Sequence, residues 1–134
     1  MTPLQKVYDR FFSKIDEDMF DKEAVIFEYL VTAIAKSYKT VIHSLEYELV
    51  NDEFEGNFND DLQEDEIELL ALYMLYEHKR RRLEYLQAQE RMIGTKDFNS
   101  IPDKVRETTD LRQGMKDLRE EISDLKQDFN TFRY

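Results

Sequence analysis

The stretch LLALYMLY, residues 69–76, limits the possible folds of this chain more than any other feature. It places eight apolar residues in succession, and neither Pro nor Gly interrupts the sequence between Gln63 and Arg91. A helix that is apolar around its whole circumference must be buried by several neighbouring elements. We therefore predict a central helix from about Gln63 to Arg91, with core positions at Ile67, Leu70, Ala71 and Met74.

Composition predicts that the remaining segments are also mostly helical. The 134 residues include three Gly and two Pro, while 37% are charged and 41% are hydrophobic. Few turn formers combined with many helix-favouring residues are typical of an all-α fold. We predict a single helical domain over residues 1–134, a small bundle of about four helices with a long C-terminal helix.

Two helices are predicted before the central one. The first runs from Pro3 to Lys14 with Thr2 as its N-cap, and the second covers residues 22–39 with Asp21 as its cap. Residues 43–60 alternate only partly between polar and apolar, which predicts a loop that could close as a short β-hairpin. The apolar face of the second helix is predicted to contain Phe27, Leu30, Val31, Ile34, Ala35 and Tyr38.

A heptad repeat defines the last helix, residues 102–134, which Ser100 and Pro102 are predicted to start. A strict 3.5-residue repeat with charged flanks forms a narrow apolar stripe that needs a partner helix. That partner is either the central helix, with Leu118 and Ile122 in the core, or another protein that binds the aromatic end of the chain. The repeat comprises Leu111, Met115, Leu118, Ile122, Leu125, Phe129 and Phe132.

The residue content disfavours several classes of function. A formal net charge of −11 disfavours nucleic acid and anionic membranes as ligands, because an acidic surface repels phosphate. The absence of Cys, of a long apolar run and of a secretory signal predicts a soluble intracellular protein without disulfides. The acidic segment 51–62 fails as a calcium loop at Leu62, and His43 and His78 lack ligand spacing. We expect no metal, no cofactor and no enzymatic activity.

The basic run KRRR, residues 79–82, is unusual in so acidic a chain. Successive helical positions lie about 100° apart, so the four cations cannot all face one partner. One interpretation is local pairing at helical spacing, of Glu77 with Arg81 and of Arg80 with Glu84. The other is a contact with another copy, whose residues 51–68 carry nine acids and no base. The residues of that contact would be Arg80, Arg81, Arg82, Asp60 and Asp61.

Two segments carry a family pattern: FNDDLQEDEIELLALYMLYEH and KDFNSIPDKVRETTDLRQGMKDLREEISDLKQDF. They combine an acidic helix start of the form FxxDLxxEEIxILxxxM, a KDF turn followed by Ser, and a long charged last helix with aromatic residues near its end. In these features the chain resembles the small helical head–tail connector (adaptor) proteins of tailed bacteriophages, over about residues 54–132. His78 departs from the pattern, because the family has Trp at that position.

The resemblance implies a structural role in the virion neck, after assembly in the host cytoplasm. Such proteins form a ring, typically of twelve copies, beneath the portal protein, and DNA passes through the ring without specific binding. The next neck or tail-completion protein would bind the opposite face, around Phe54 to Phe58. Two alternative functions are an acidic DNA mimic and a coiled-coil homo-oligomer. The resemblance places the portal contacts at Leu125, Phe129, Phe132 and Tyr134.

Overall fold

A helix of 30 residues is the element on which the other helices pack. The computed structural model describes residues 1–16, 19, 22–50 and 53–132, with side chains up to Phe129. The order of elements confirms the predicted all-α bundle, its long last helix and the short hairpin. The elements are α1 (Leu4–Phe12), α2 (Glu23–Ser37), β1 (Tyr47–Leu49), β2 (Gly56–Phe58), α3 (Glu64–Ile93), α4 (Thr95–Asn99) and α5 (Pro102–Phe132).

The N-terminal half of α3 is surrounded by α1, α2 and α5. Every residue from Leu69 to Leu75 is buried, as the uninterrupted apolar run predicts. Gln63 and Glu66 form a capping box, and three acids in the first turn face the positive end of the helix dipole. All of the predicted core positions are buried: Ile67, Leu70, Ala71, Met74, Leu118 and Ile122.

Both α2 and α5 run antiparallel to α3. Along α2, Glu28 pairs with Arg81 of α3, whereas Lys36, eight residues later, lies over the ring of Tyr76. Along α5, Glu107 pairs with Arg82, and Lys126 lies over the ring of Tyr73. The C-terminal part of α5 therefore returns to the end of the molecule at which α3 begins.

The C-terminal part of α3 extends beyond the main core as a helical arm, which we define as residues 82–111. The arm is held by the pair between Arg82 and Glu107 and by a hydrogen bond from Lys104 to Gln89. Leu86 and Phe98 are buried in the arm, yet they do not belong to the main core cluster. At 1.5 Å per residue, α3 spans roughly 45 Å, so the arm tip lies far from the hairpin.

The first residues of the chain pair with the hairpin and do not cap α1 as predicted. The backbone of Thr2 accepts a hydrogen bond from the N–H of Phe58 and donates one to the carbonyl of Asp60. Its hydroxyl accepts from the N–H of Leu62 at 2.8 Å, and α1 has no side-chain cap. The prediction of a Thr2 cap is wrong because the buried N–H of Leu62 takes the hydroxyl.

The prediction of the apolar face of α2 is wrong: the buried face is rotated about the helix axis by about one residue from the predicted one. Val31 and Tyr38 are exposed, at 42% and 57%, although both were expected in the core. The helix is apolar on most sides, so its sequence alone does not define the inward face. Asp21, the predicted cap, lies outside the described residues. The inward face consists of Ile26, Tyr29, Leu30, Ala33 and Ser37.

A short helix, α4, replaces the simple break that the sequence predicts before the last helix. Gly94 ends α3 with a positive φ of 86°, a conformation that L side chains rarely adopt. The next turn buries Phe98, which explains why the chain coils again at once. Ser100 does not act as the predicted cap with Asp103, since its hydroxyl donates to the carbonyl of Asp97 at the end of α4.

Two glycines give a matched test of this packing. A Cβ at Gly56 would lie 2.0 Å from the carbonyl oxygen of Glu48, whereas at Gly114 it would meet only the Lys79 side chain, at 3.5 Å or more. We expect Gly56→Ala to destabilise the protein because strand backbone must move, and Gly114→Ala to stabilise it by up to about 1 kcal/mol. Urea unfolding of both variants measures the difference, and equal effects would contradict the described hairpin.

Candidate functional site

The three arginines of the basic run are each ion-paired within the chain. Arg80 pairs with Glu77 and Glu84, as helical spacing predicts. The guanidinium of Arg81 donates to Glu77 and, at 2.9 Å, to Glu28 of α2. Arg82 donates through Nε to Glu107 of α5 at 2.6 Å. The basic run therefore joins three helices. The ion pairs with α2 and α5 could not be predicted from the sequence, because residue spacing along one helix indicates only contacts within that helix.

Glu77 is the centre of this ion-paired cluster. Its residue is 2% exposed, and its carboxylate accepts hydrogen bonds from both Arg80 and Arg81. The hydrogen bond from Arg80 lowers the pKa of Glu77, and this effect exceeds the opposing effect of burial. A buried carboxylate with two cationic donors is stable only while those donors remain. Glu77 therefore has a structural role.

The acidic residues expected at a contact between copies also have partners within the chain. Asp60 accepts a hydrogen bond from the N–H of Ser44 at 2.8 Å, and Asp61 pairs with the N-terminal ammonium group. The three arginines and these two aspartates thus already have partners within one chain. This agrees with the interpretation in which the basic run pairs locally and does not contact another copy. Exchanging Arg81 and Arg82 for Glu would place like charges together and destabilise the monomer.

The acidic start of α3 binds α1. Glu64 pairs with Lys6 and Arg10, and Glu68 pairs with Arg10 and Lys14. Burial alone would raise the pKa of Glu68, but the hydrogen bonds from Lys14 and Arg10 lower it below its ordinary range. The carboxylates in this part of the acidic segment therefore hold the bundle together.

Both histidines pack inside the chain. The ring of His78 lies 6.0 Å from that of Phe11, and its Nδ1 is 3.2 Å from the hydroxyl of Tyr29. His43 binds Glu66, a fully buried carboxylate, at 2.6 Å. Across residues 1–16, 19, 22–50 and 53–132, no group of three or more potential ligands could hold a metal ion.

Of the residues predicted to contact the portal at the end of α5, two pack in or against the core and two lie outside the described residues. Phe129 is 2% exposed and belongs to the main core, and Leu125 packs against the same cluster. At these two positions the heptad stripe packs within the chain, which was one of the two alternatives for its partner. The side chain of Phe132, and Tyr134 altogether, lie outside the described residues.

Exposed apolar residues occur at both ends of α3. At the hairpin end, Tyr38 and Ile42 border a groove beside Tyr47, and their exposures are 57% and 62%. At the arm tip, Met92 is 85% exposed and Ile93 is 40% exposed. His43, next to Ile42, binds Glu66, and Met92 lies 26 residues beyond Glu66. At 1.5 Å per residue the two ends are separated by roughly 39 Å.

The comparisons with known proteins give no neighbour. No protein-family model, no curated protein and no solved structure matches this chain. Among the described helices, none combines the length and the apolar character needed to cross a lipid bilayer.

Glu77→Gln tests whether the ion-paired cluster has a structural role. The neutral side chain leaves two arginines without their shared carboxylate, so we expect a loss of about 1 to 3 kcal/mol in unfolding free energy at pH 7. Glu84→Gln removes the exposed carboxylate that pairs with Arg80, and it is expected to lower the unfolding free energy by under about 0.5 kcal/mol. Equal losses in urea unfolding would contradict the central position of Glu77.

The lowered carboxylate pKa values also predict a direction for pH dependence. Hydrogen bonds from Arg80, opposed by burial, hold the pKa of Glu77 below its ordinary value in the folded state, and the hydrogen bond from Arg82 lowers the pKa of Glu107. The unfolded chain therefore binds more protons in acid. We expect urea unfolding to give constant stability above about pH 5 and a steady loss at lower pH, with a shallower slope for Glu77→Gln. Equal slopes would exclude Glu77 as a source of the loss.

Proposed function

We propose that this protein is a structural subunit of a bacteriophage neck, a head–tail connector that forms a ring beneath the portal protein. The observation that carries this proposal is the pair of exposed apolar surfaces at opposite ends of α3. A connector must bind one partner towards the capsid and a different partner towards the tail. A rigid subunit with a separate apolar surface at each end meets that requirement.

The connector-like motifs coincide with structural features that define the bundle. Phe58 and Leu62 of the acidic helix start are buried beside the capping box of α3. Phe98 of the KDF turn is the residue buried by α4. These positions support the resemblance, because a family pattern persists where it determines packing.

The arrangement of the elements changes where the two partners are proposed to bind. The hairpin and the C-terminal part of α5 lie towards the same end of α3, and Phe58 is fully buried. Phe54 and Phe58 are therefore poor candidates for a contact on the opposite face. We place the portal protein at the hairpin end, with Tyr38 and Ile42, and the next neck or tail-completion protein at the arm tip, with Met92 and Ile93.

The alternative functions have less support. A coiled-coil homo-oligomer needs an open heptad stripe, yet Met115, Leu118 and Ile122 are buried in the single chain. An acidic DNA mimic is supported only by the net charge of −11. In a connector, the same charge favours a channel from which DNA is repelled, because an excess of acidic residues repels phosphate. We propose that the protein is located in the virion neck, and in the host cytoplasm during assembly.

Co-sedimentation with a portal ring encoded in the same genome tests this proposal. We expect the unmodified protein to sediment with the portal in a fixed ratio. Ile42→Asp should weaken this binding by roughly tenfold or more, because a charge enters a buried apolar contact. Met92→Asp is the matched control at the arm tip and should bind the portal normally.

Two results would contradict the proposal in different ways. If the unmodified, folded protein does not bind the portal even at high concentration, the connector function is excluded. If the protein binds but Met92→Asp weakens binding and Ile42→Asp does not, the two ends have been assigned the wrong way round.

A further inference from the structure

A cluster of cations that have no ion pair with any described residue lies on the side of the bundle, between α2, α3 and α5. It forms a groove of about 370 Å³ with an apolar floor and a basic rim. We call this surface the basic groove. Its principal residues are Lys36, Tyr73, Tyr76, Arg119, Ile122 and Lys126.

The cations of the basic groove differ from the arginines of the ion-paired cluster. Lys36 lies 5.4 Å from the ring centre of Tyr76, and Lys126 lies 5.3 Å from that of Tyr73. Neither lysine, nor Arg119, has an ion pair with a carboxylate within the described part of the chain. Arg119 and Lys126 are seven residues apart, so they share one face of α5 about 10 Å apart. Three cations in a protein of net charge −11 are thus available to an anionic partner.

A matching anionic surface lies on the hairpin. Glu46 and Glu48 are exposed and, among the described residues, have no ion pair, unlike Glu64 and Glu68 at the start of α3. Being two residues apart, they point to the same side of the strand, and Tyr47 between them packs towards Phe58. We call Glu46 and Glu48 the hairpin rim; both border the same groove as Tyr38 and Ile42, so this surface lies directly beside the proposed portal contact.

The basic groove and the hairpin rim lie on opposite sides of α2. Lys36 borders the basic groove, whereas Ile34 and Tyr38 border the groove beside the hairpin. Residues two positions apart on a helix point about 200° apart, so these surfaces face away from each other. A contact between different surfaces of identical subunits is heterologous, and repeated contacts of this kind form a ring when the rotation from one copy to the next closes, and an open filament when it does not.

We infer that the basic groove of one copy binds the hairpin rim of the next copy around the ring. The carboxylates of Glu46 and Glu48 would pair with Lys36, Arg119 and Lys126, above an apolar floor that excludes water. This inference rests on the proposed connector function and names its lateral contact. It also replaces the expected use of Arg80, Arg81 and Arg82, which are paired within the chain.

A charge-swap experiment with the portal ring tests this contact. Arg119→Glu with Lys126→Glu makes the groove acidic, and Glu46→Lys with Glu48→Lys makes the rim basic. Each double variant alone brings like charges together at every contact, so we expect roughly a tenfold or greater loss of protein sedimenting with the portal. In an equal mixture, a ring in which the two variants alternate has opposite charges at every contact, and assembly should recover.

Arg112→Glu with Lys116→Glu is the matched control. Both residues are exposed on α5 outside the basic groove, and the exchange alters net charge by the same amount. We expect this variant to assemble as the unmodified protein does. Circular dichroism of every variant, compared with the unmodified protein, verifies that a loss of assembly is not a loss of folding.

The outcomes separate this contact from the proposed function. Recovery in the mixture, with a normal control, supports the contact. Assembly that is unaffected by either double variant, or a mixture that fails to recover, overturns the contact while the connector function stands. If the unmodified protein does not bind the portal at all, both the contact and the connector function are overturned.

Discussion

The apolar circumference of α3 is the constraint on which the rest of this fold depends. A helix buried from Leu69 to Leu75 on every side requires three neighbours, and α1, α2 and α5 occupy those positions. Each fully buried leucine there stabilises the fold by about 1.5 to 3 kcal/mol relative to exposure. The second half of α3 lacks such a run, which is why fewer elements cover it and an arm extends from the bundle.

Much of this architecture could be predicted because long, strongly periodic segments carry their own signal. The central helix, the heptad helix and their buried residues follow from apolar spacing alone, as Met74 and Ile122 illustrate. The face of α2 could not be predicted in the same way. That helix is apolar on most sides, and its orientation depends on contacts made by Tyr29 and Glu28 with α3.

Polar side chains were harder to place than apolar ones. Thr2 and Ser100 fit cap positions by sequence, yet both hydroxyls bond to backbone groups that only the tertiary structure brings near. The local pairs of Arg80 followed from helical spacing, while the partners of Arg81 and Arg82 on other helices did not. Lys36, Arg119 and Lys126, which have no ion pair in the part of the chain that the structure describes, are scattered in sequence, so no run of basic residues marks the basic groove.

The distribution of charge connects the fold to its proposed function. Ion pairs of Glu64 and Glu68 with cations of the first helical segment, and of Glu28 and Glu107 with Arg81 and Arg82, join helices within one chain. Among the described residues, the unpaired cations Lys36, Arg119 and Lys126 form one surface, and the unpaired carboxylates of Glu46 and Glu48 form another of opposite sign. Exposed apolar residues, including Ile42 and Met92, occur at both ends of α3. The proposed connector would use the two charged surfaces for contacts between copies and the two ends of α3 for two different partners, as a connection between capsid and tail requires.

Electron cryo-microscopy of the protein mixed with a portal ring encoded in the same genome tests the proposed connector function most directly. The account predicts a closed ring of identical subunits, with the hairpin ends against the portal and the arms directed away from it. Monomers that remain detached from the portal, or a ring in which the arm tips contact the portal, would contradict it.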